Sequence, residues 1–418
     1  MVSNWKTSNI TDLLKPNGIK IGPFGSQLKK ELFVQSGDYK VYGQENVYAK
    51  DFTLGNRYMT RSHFDKLASC EILPGDFVMS TMGTIGKCAI VPSNITRGIM
   101  DSHLIRLRFD EKLIHPSYLL QLFSPDIQYL TNQTDKLSVG GIMDGLSVKI
   151  VSSLTVEYPQ SIEEQECIVN VLSDMDGMIS SLEKLIAKKK AVKQGAMQEL
   201  LMGKKRLPGF YGEWREHTLG DLCYLVTKQT GFDYTNEIKP SLVEIHSNGT
   251  LPFIQNKDFS GKKINVHTDY YIPYEVAIKY PRILLDETCL LISLSGRIGN
   301  VGLYEKSNGL SFIGGAVGIC RFSDKQNAEW CMLYLQSSSG QKQIFECQKS
   351  GAQHNLTVED VRKLVVKLPT TVEEQTAIAS ILSDMDNEIE ALEQKLEKAR
   401  QIKQGMMQQL LTGKIRLV

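Results

Sequence analysis

Two short stretches of the chain concentrate side chains that carry paired hydrogen-bonding atoms. The first contains Gln44 and Asn46, and the second contains Gln255, Asn256 and Lys257. An amide presents a donor beside an acceptor, which matches the major-groove edge of adenine, while a cationic side chain presents donors that match guanine. These residue types could therefore read base edges. Ordinary polar turns use the same residues, and the sequence leaves both interpretations open.

Two glycine-rich turns form a second set of candidates. The first reads S-T-M-G-T-I-G from Ser80 and the second reads S-L-S-G-R-I-G from Ser293. Glycine permits a tight turn and a close approach of the backbone to phosphate. The candidate contacts are Thr84 and Lys87 in the first turn, and Ser295, Arg297 and Asn300 in the second. The difference between Thr84 and Arg297 is of the kind that would change specificity.

The chain lacks the sequence patterns of the enzymes that handle nucleic acids. It has no Pro-Pro pair for a methyltransferase motif of the Asn/Asp-Pro-Pro-aromatic type, and no G-x4-G-K-[ST] phosphate loop. Its eight cysteines are scattered singly, without C-x-x-C, so we expect no metal site, no disulfide framework and a reducing cytosol. We expect no catalytic residues and no cofactor.

Composition limits the possible partners. The 418 residues are enough for two to four domains. The 48 basic and 47 acidic residues leave a formal net charge of +1, so a nucleic-acid surface would have to be local. The arginines that are weaker candidates for phosphate contacts are Arg57, Arg61, Arg97, Arg106 and Arg108.

A long internal repeat organises the chain around these candidates. Residues 159–207 and 369–418 match at a constant offset of 210 positions, as between Pro159 and Pro369. Both segments carry apolar residues at alternating spacings of three and four, which predicts two long helices with the seam of a coiled coil. The first seam is Ile168, Leu172, Met175, Ile179, Leu182 and Ile186, and the second is Ile378, Leu382, Met385, Ile389, Leu392 and Leu396.

The helices have an alternative packing partner. Each could pack on its own globular neighbour instead of on the other helix, although a narrow seam is better matched to a second narrow seam. Both helices also contain Leu-Ser-Asp-Met-Asp intact, with Asp174 and Asp176 in one and Asp384 and Asp386 in the other. These carboxylates fit the docking of one partner at two places, or simple solubility of a helix.

The segments before the helices, residues 1–158 and 208–368, are distantly related to each other. Trp5 matches Trp214, the two glycine turns match, and Gly141 matches Gly351. Gln44 and Gln255 coincide in this alignment. The short β-rich runs between Gly, Pro, Asn and Asp predict an α+β fold for both domains. Because Trp5 takes up where the C-terminal repeat stops, we expect the two termini to lie close together in a pseudo-twofold arrangement.

This order of motifs resembles the specificity (S) subunit of type I restriction-modification systems over essentially the whole length. The residues that carry the resemblance are Gly22-Pro-Phe-Gly-Ser26, the two glycine turns, the P-x3-E-E-Q segments from Pro159 and Pro369, and the two L-L-x-G-K-x-R-L tails. The second domain departs from the pattern, since it reads Thr227-Lys-Gln-Thr-Gly-Phe in place of Gly-Pro-Phe-Gly-Ser.

The resemblance implies a function and partners. It implies that residues 1–158 and 208–368 are target-recognition domains 1 and 2, each reading half of a split sequence in double-stranded DNA. It implies that residues 159–207 and 369–418 form an antiparallel coiled coil that docks two methyltransferase (M) subunits, which restriction (R) subunits join. The S subunit itself is not an enzyme.

Helix length gives a physical argument for the same role. About 40 residues form a rod of roughly 60 Å, and one turn of DNA is about 34–36 Å, so the coil could set the spacer between half-sites. The alternative is a coiled-coil scaffold that joins two ligand-binding domains without nucleic acid, which only the near-neutral charge favours.

Overall fold

The computed structural model of the chain describes residues 5–24, 27–137, 145–324, 326–347 and 355–417. Four motif residues, Gly25, Ser26, Gly141 and Gly351, therefore lie outside the described residues. The chain divides into two compact units, of which unit 1 is residues 1–183 with 394–418 and unit 2 is residues 184–393. The division falls inside both long helices. Each unit therefore contains one β-rich domain, the start of the helix that follows it and the end of the other helix.

Unit 1 contains domain 1. Its strands are β1 Trp5–Asn9, β2 Leu14–Ile21, β3 Tyr39–Tyr42, β4 Tyr58–Met59, β5 Glu71–Ile72, β6 Phe77–Ser80, β7 Cys88–Ile90, β8 Gly98–Met100, β9 Leu104–Phe109 and β10 Thr155–Pro159. Its α-helices are α1 Gln44–Ala49, α2 Arg61–Leu67, α3 Pro116–Leu122, α4 Tyr129–Leu137, α5 Val148–Ser152 and the start of α6 Ile162–Leu200. Short 3-10 turns cover Ile10–Leu13, Lys30–Leu32, Ala68–Cys70 and Pro125–Ile127.

Unit 2 contains domain 2. Its strands are β11 Arg215–Thr218, β12 Cys223–Lys228, β13 Thr250–Ile254, β14 Phe259–Ser260, β15 Lys263–Ile264, β16 Tyr271–Pro273, β17 Leu284–Leu285, β18 Cys289–Ser293, β19 Val301–Tyr304, β20 Ser311–Ile313, β21 Val317–Phe322 and β22 Val365–Leu368. Its α-helices are α7 Leu219–Leu222, α8 Gly231–Asp233, α9 Lys239–Ser241, α10 Tyr274–Ala277, α11 Gln326–Gln336, α12 Ser338–Glu346, α13 Val358–Lys363 and the start of α14 Val372–Leu410. A π-helical turn covers Tyr234–Ile238, and 3-10 turns cover Asn256–Asp258 and Lys306–Asn308.

The two domains share one strand order. In domain 1 the sheets run β2-β9-β6-β7 and β4-β3-β8-β5, and in domain 2 the corresponding strands run β12-β21-β18-β19 and β16-β13-β20-β17. Domain 2 extends its first sheet by β15 and β14. In each domain a further two-stranded sheet, β1-β10 or β11-β22, joins the first strand to the strand that precedes the long helix. The prediction of two similar α+β domains is confirmed.

The start of each long helix lies in the core of the domain before it. Ile168 and Leu172 are fully buried in one cluster with domain 1 residues such as Leu107, and with Leu410 at the end of the other helix. Ile378 and Leu382 have the same surroundings in unit 2, with Leu200. The first seam positions therefore combine both predicted packings, since they lie in one hydrophobic cluster with residues of the globular neighbour and of the other helix.

Ion pairs show that the helices run antiparallel within each unit. In unit 1, Lys403 Nζ lies 2.7 Å from Asp176 and Arg400 lies 2.7 Å from Glu183. In unit 2, Lys193 lies 2.5 Å from Asp386 and Lys190 lies 2.7 Å from Glu393. Each pair of unit 1 matches a pair of unit 2 at an offset of 210 on both partners, so the repeat duplicates contacts as well as residues.

Burial along the seam weakens away from the domains. Ile186 and Ile389 are still buried. The other seam residues are only half-buried: Met175, Ile179, Leu182, Met385, Leu392 and Leu396. A glycine follows the end of each long helix, and Gly203 and Gly413 adopt left-handed φ angles of 68° and 69°, which is typical of a helix C-terminus.

The chain termini meet in unit 1. A Cβ atom on Gly413 would lie 3.0 Å from the ring of Trp5, and a Cβ atom on Gly203 would lie 3.2 Å from the ring of Trp214 in unit 2. The expectation that the termini lie close together is therefore confirmed. Among the described residues, no helix is long and apolar enough to cross a membrane.

Candidate nucleic-acid interface

The two glycine turns are hairpin loops at equivalent places in the two domains. The first joins β6 to β7, and the second joins β18 to β19. In each hairpin the first strand is an inner strand of the first sheet, since β6 also pairs with β9 and β18 also pairs with β21. Rigid, buried strands therefore hold both loops in place.

A buried serine pins each loop. In domain 1, Ser80 Oγ donates to the carbonyl of Thr84 at 2.6 Å and accepts from the backbone N–H of Lys87 at 3.0 Å. In domain 2, Ser293 Oγ donates to the carbonyl of Arg297 at 2.5 Å and accepts from the N–H of Asn300 at 2.9 Å. Ser80 was not among the predicted contacts, although its identity in both turns signals a shared positioning role.

Positive φ angles explain the glycines of the turns. Gly83 and Gly86 have φ of 65° and 77°, and Gly296 and Gly299 have φ of 73° and 85°. A side chain at any of these four positions would be strained, because L-residues rarely adopt this region. Backbone geometry therefore fixes both loops, while residues beside the glycines differ, as in Thr84 against Arg297 and Met82 against Ser295.

The structure brings the two predicted stretches of each domain together. The amide of Gln44 donates to the carbonyl of Met82 in the first loop, and the amide of Asn256 donates to the carbonyl of Ser295 in the second. In domain 1, Tyr48 Oη adds hydrogen bonds of 3.1 Å to the carbonyl of Met82 and the N–H of Thr84. Sequence reasoning missed Tyr48, because its role depends on a contact between distant segments.

These contacts correct the sequence alignment by one residue. Tyr42 pairs with Met100 on parallel strands, and Ile254 pairs with Ile313 in the same way. The next residue caps the following helical turn in both domains, so Gly43 is the counterpart of Gln255. Gln44 therefore corresponds to Asn256, and the prediction that it coincides with Gln255 is wrong.

Asn46 is a correction to the predicted contacts. Its side chain is fully buried, accepts from the N–H of Gly43 at 3.0 Å, and donates to the carbonyls of Asp51 and Leu54. Both donors of the amide are used inside domain 1 and the side chain is buried, so it cannot read a base in this conformation. Its counterpart Asp258 caps Gln255 at 2.7 Å. The pKa of Asp258 is raised, because burial outweighs the lowering effect of the hydrogen bond from the N–H of Gln255.

The remaining candidates differ in exposure. Thr84, Lys257 and Arg297 are exposed, whereas Gln44, Lys87, Gln255, Asn256, Ser295 and Asn300 are half-buried. Lys257 forms an ion pair with Asp269 and lies 5.8 Å from the ring centre of Tyr270. The exposed residues flank the contact between stretch and loop, so each domain presents one compact polar surface.

Most of the weaker arginine candidates serve the fold of domain 1. Arg106 is buried and donates to the carbonyl of Glu71 at 2.7 Å. Arg108 lies 2.8 Å from Asp76, and Arg97 lies 2.7 Å from the carboxylate of Glu71. Arg57 is paired with Glu45 and Asp101. Arg61, with 82% of its side chain exposed, has only a distant partner, the carboxylate of Asp65 at 3.9 Å.

The chemistry of both surfaces is hydrogen bonding and charge. Among the described residues, no group of three or more His, Cys, Asp or Glu side chains could hold a metal ion. The fold and these surfaces define a protein of two related domains, each presenting a pinned hairpin loop and each followed by a long helix.

Comparison with known families identifies this class. The family model described as the type I restriction modification DNA specificity domain matches residues 2–194 and 211–401. The chain belongs to this family. Each match takes in one β-rich domain and most of the helix that follows it, so the resemblance inferred from the motifs is confirmed.

Individual relatives are distant, but each covers at least three quarters of this chain. The type I restriction enzyme MjaVIII specificity subunit of Methanocaldococcus jannaschii is 25% identical over 339 residues, which is 77% of this chain and 75% of that protein. The crystal structure of the type I restriction-modification S subunit from M. genitalium superposes with a TM-score of 0.57 at 16% identity, covering 97% of this chain and 96% of that one. A chain from a structure on complex assembly and conformational transition of the type I R-M system gives 0.60 at 16%, covering 98% of each. At these identities the two structures support the fold alone.

Proposed function

We propose that this chain is the sequence-specific DNA-recognition subunit of a type I restriction-modification complex, acting in the cytoplasm. One observation carries the proposal: the same hairpin, serine pin and amide contact is built twice, while the exposed residues differ. Two similar frames with different exposed residues suit the reading of two different half-sites. In this role the chain recognises DNA and leaves catalysis to its partners.

The candidate contacts fall into two sets on this proposal. Domain 1 would use Thr84 and Lys87, and domain 2 would use Gln255, Lys257, Ser295, Arg297 and Asn300. Thr84, Lys257 and Arg297 are the strongest of these, because they are exposed beside a fixed backbone. Gln44 and Asn256 already donate to loop carbonyls, so we assign them to holding the loops in position.

The experiment that tests the proposal is sequencing of methylated adenine in cells that express the cognate methyltransferase with and without this chain. We expect methylation at one split sequence only when the chain is present. A gel shift with the co-purified complex should show binding to duplexes that carry this sequence. Chain-independent methylation, together with no duplex binding, would support the scaffold alternative.

The long helices would dock two methyltransferase subunits, through which restriction subunits would join. Asp174 and Asp384 are exposed at matching positions of the repeat, so they could meet the same partner twice. Asp176 and Asp386 are committed to Lys403 and Lys193, so the helix pair itself accounts for them.

Reversing the charge of both exposed aspartates should weaken docking. We expect Asp174→Lys with Asp384→Lys to reduce the amount of methyltransferase that co-purifies, because a duplicated contact is lost at both places. Lys395→Glu is the matched control, since its counterpart in the other helix is Leu185 and the surface is not duplicated. Equal recovery of the partner with all variants would contradict this role for the aspartates.

Helix length should set the spacer between half-sites. Inserting seven residues after Glu183 and another seven after Glu393 preserves the seam, because seven residues are one heptad. The insertion adds about 10 Å of helix, or about three base pairs at 3.4 Å each, and methylation sequencing should show a spacer longer by that amount. Seven residues inserted after the exposed Asn248 should leave it unchanged. A folded helix variant that keeps the original spacer would contradict the proposal that helix length sets the spacer.

A further inference from the structure

We propose that domain 2 reads a G·C base pair through its guanine, with Arg297 as the specificity-determining residue and Lys257 as a second donor. This inference rests on the proposed function and deepens it, because it names the chemistry of one half-site. It concerns a difference between two surfaces whose backbones are equivalent, which allows the side chains to be compared position by position.

Structural equivalence places opposite chemistry at matched positions. Thr84 and Arg297 are both the residue whose carbonyl accepts from the pinning serine. Glu45 and Lys257 are both the residue after the amide that contacts the loop. Domain 1 therefore presents a carboxylate and a hydroxyl where domain 2 presents an ammonium and a guanidinium.

Arg297 is available for an external partner. Its side chain is exposed, and within the described part of the chain it forms no hydrogen bond or ion pair. Guanidinium groups are planar forks of N–H donors, and the major-groove edge of guanine presents two acceptors, O6 and N7, in matching geometry. Because net charge gives no general attraction for DNA, a cation placed at this loop is better explained by a local contact.

The backbone beneath Arg297 is already fixed. Its carbonyl accepts from Ser293 Oγ, and the neighbouring Gly296 and Gly299 hold positive φ angles. Asn256 ties the loop to the segment that carries Lys257 through the carbonyl of Ser295. Only the arginine side chain then has to be ordered on binding, so a contact made here discriminates between bases without rearranging the domain.

Lys257 supplies a second cation beside the loop. A Cβ atom on Gly296 would lie 3.3 Å from the amide nitrogen of Asn256, so these two residues are close together. Arg297 follows Gly296 and Lys257 follows Asn256, which places the two cations on neighbouring segments. The ion-pair partner of Lys257, Asp269, has 71% of its side chain exposed, so this ion pair is solvated and weak. Lys257 can exchange it for a base or a phosphate at little cost.

Domain 1 lacks these donors at the same positions. Thr84 is short, and its N–H is already bonded to Tyr48 Oη. The carboxylate of Glu45 is an acceptor that lies 2.7 Å from Arg57. At these two positions, therefore, domain 1 presents no cation where domain 2 presents two.

The test is methylation sequencing of cells that express the cognate methyltransferase with variants of the full chain. Arg297→Ala should lose discrimination at one G·C position of one half-site, by about tenfold to a hundredfold, and leave the other half unchanged. Arg297→Gln should move the preference at that position towards adenine, which an amide matches. Arg297→Lys should keep guanine with reduced discrimination.

A matched control lies at the other end of the same hairpin. Lys306 follows β19 beyond Tyr304, which pairs with Cys289 at the end away from the loop. Lys306→Ala removes the same charge from an exposed site and should leave base discrimination unchanged at every position of the methylated sequence. Thr84→Ala should alter only the half-site that Arg297 variants leave intact.

The outcomes separate this inference from the function beneath it. No chain-dependent methylation with the unaltered protein would overturn the proposed function. A sharp wild-type motif that Arg297→Ala leaves unchanged, or blurs at an A·T pair, would overturn the inference alone. Uniform weakening at all positions, with a shallower salt dependence of binding, would identify a phosphate contact and would also overturn it.

Discussion

Arg206→Met is expected to lower the free energy of unfolding of unit 2 by about 3–5 kcal/mol. The guanidinium of Arg206 makes two hydrogen bonds to the carboxylate of Glu374, at 2.6 and 2.7 Å. Glu374 is only 1% exposed, so removing its partner leaves a buried charge that retains just the N–H of Trp214, at 3.2 Å. The measurement is chemical unfolding of the full chain, followed by hydrogen exchange to locate the loss in unit 2.

Two variants control this expectation. Lys190→Met removes a lysine whose partner Glu393 has 48% of its side chain exposed, and the loss should stay below about 1 kcal/mol. Adding Glu374→Leu to Arg206→Met should recover most of the stability, because an apolar pair of similar volume needs no charge partner. If Arg206→Met and Lys190→Met lowered the free energy of unfolding by the same small amount, the expectation that the buried pair matters more would be wrong.

Gly22→Ala is expected to disrupt domain 1 and abolish its share of DNA recognition. A Cβ atom at Gly22 would lie 1.8 Å from the carbonyl oxygen of Asp101 and 2.4 Å from its carbonyl carbon. The obstacle is backbone, which cannot rotate away as a side chain can, so we expect a loss of about 1–3 kcal/mol or more. Asp101 also holds Arg57 and the N–H of His103, so a shift here would reach the candidate interface.

The matched control is a glycine with open space around it. Gly195 lies inside α6, and a Cβ atom there would meet nothing within 4 Å. Gly195→Ala should stabilise the helix by up to about 1 kcal/mol. Thermal unfolding compares the two variants, and methylation sequencing should show that only Gly22→Ala blurs the half-site of domain 1. Retention of both a sharp motif and normal stability by Gly22→Ala would contradict the steric argument.

The same contact explains why the second domain departs from the family motif. The counterpart of Gly22 is Gln229, which is 2% exposed. Its side chain fits because the facing segment is Gly314-Gly315, and a Cβ atom on Gly315 would lie 3.3 Å from Gln229 Oε1. In domain 1 the glycine follows β2 and faces Asp101, whereas in domain 2 the large side chain follows β12 and faces Gly315. The sequence of this segment alone shows that the motif is absent, but it does not show that the facing segment has changed as well.

Helix prediction succeeded because its evidence is local. The segments 159–207 and 369–418 contain the observed helices Ile162–Leu200 and Val372–Leu410. Capping is also local, since Ser161 Oγ accepts from the N–H of Glu164 at 3.2 Å. The packing of those helices was less predictable, because the same apolar residues face a domain core at one end and the other helix further along.

The candidate contacts stay predictions, and the structure decides only which of those side chains are exposed. The glycine turns can be recognised from the sequence, because a positive φ angle leaves few alternatives to glycine. Whether a polar residue faces solvent or the interior depends on segments far away in sequence. Asn46 looked like a reading residue and is a buried cap, whereas Tyr48 gave no signal and holds the loop. Between diverged domains, strand register was needed to align Gln44 with Asn256.

The sequence by itself determined the family, the duplicated frame, the two long helices and the positions of the glycine turns. All of these follow from periodicity, from backbone constraints on single residues, or from identity between the two halves. Only the tertiary structure decided which polar side chains are exposed at the loops and which carboxylates of the helices are free. Those properties depend on contacts between segments separated by tens to hundreds of residues, and the order of residues along the chain does not specify such contacts one by one.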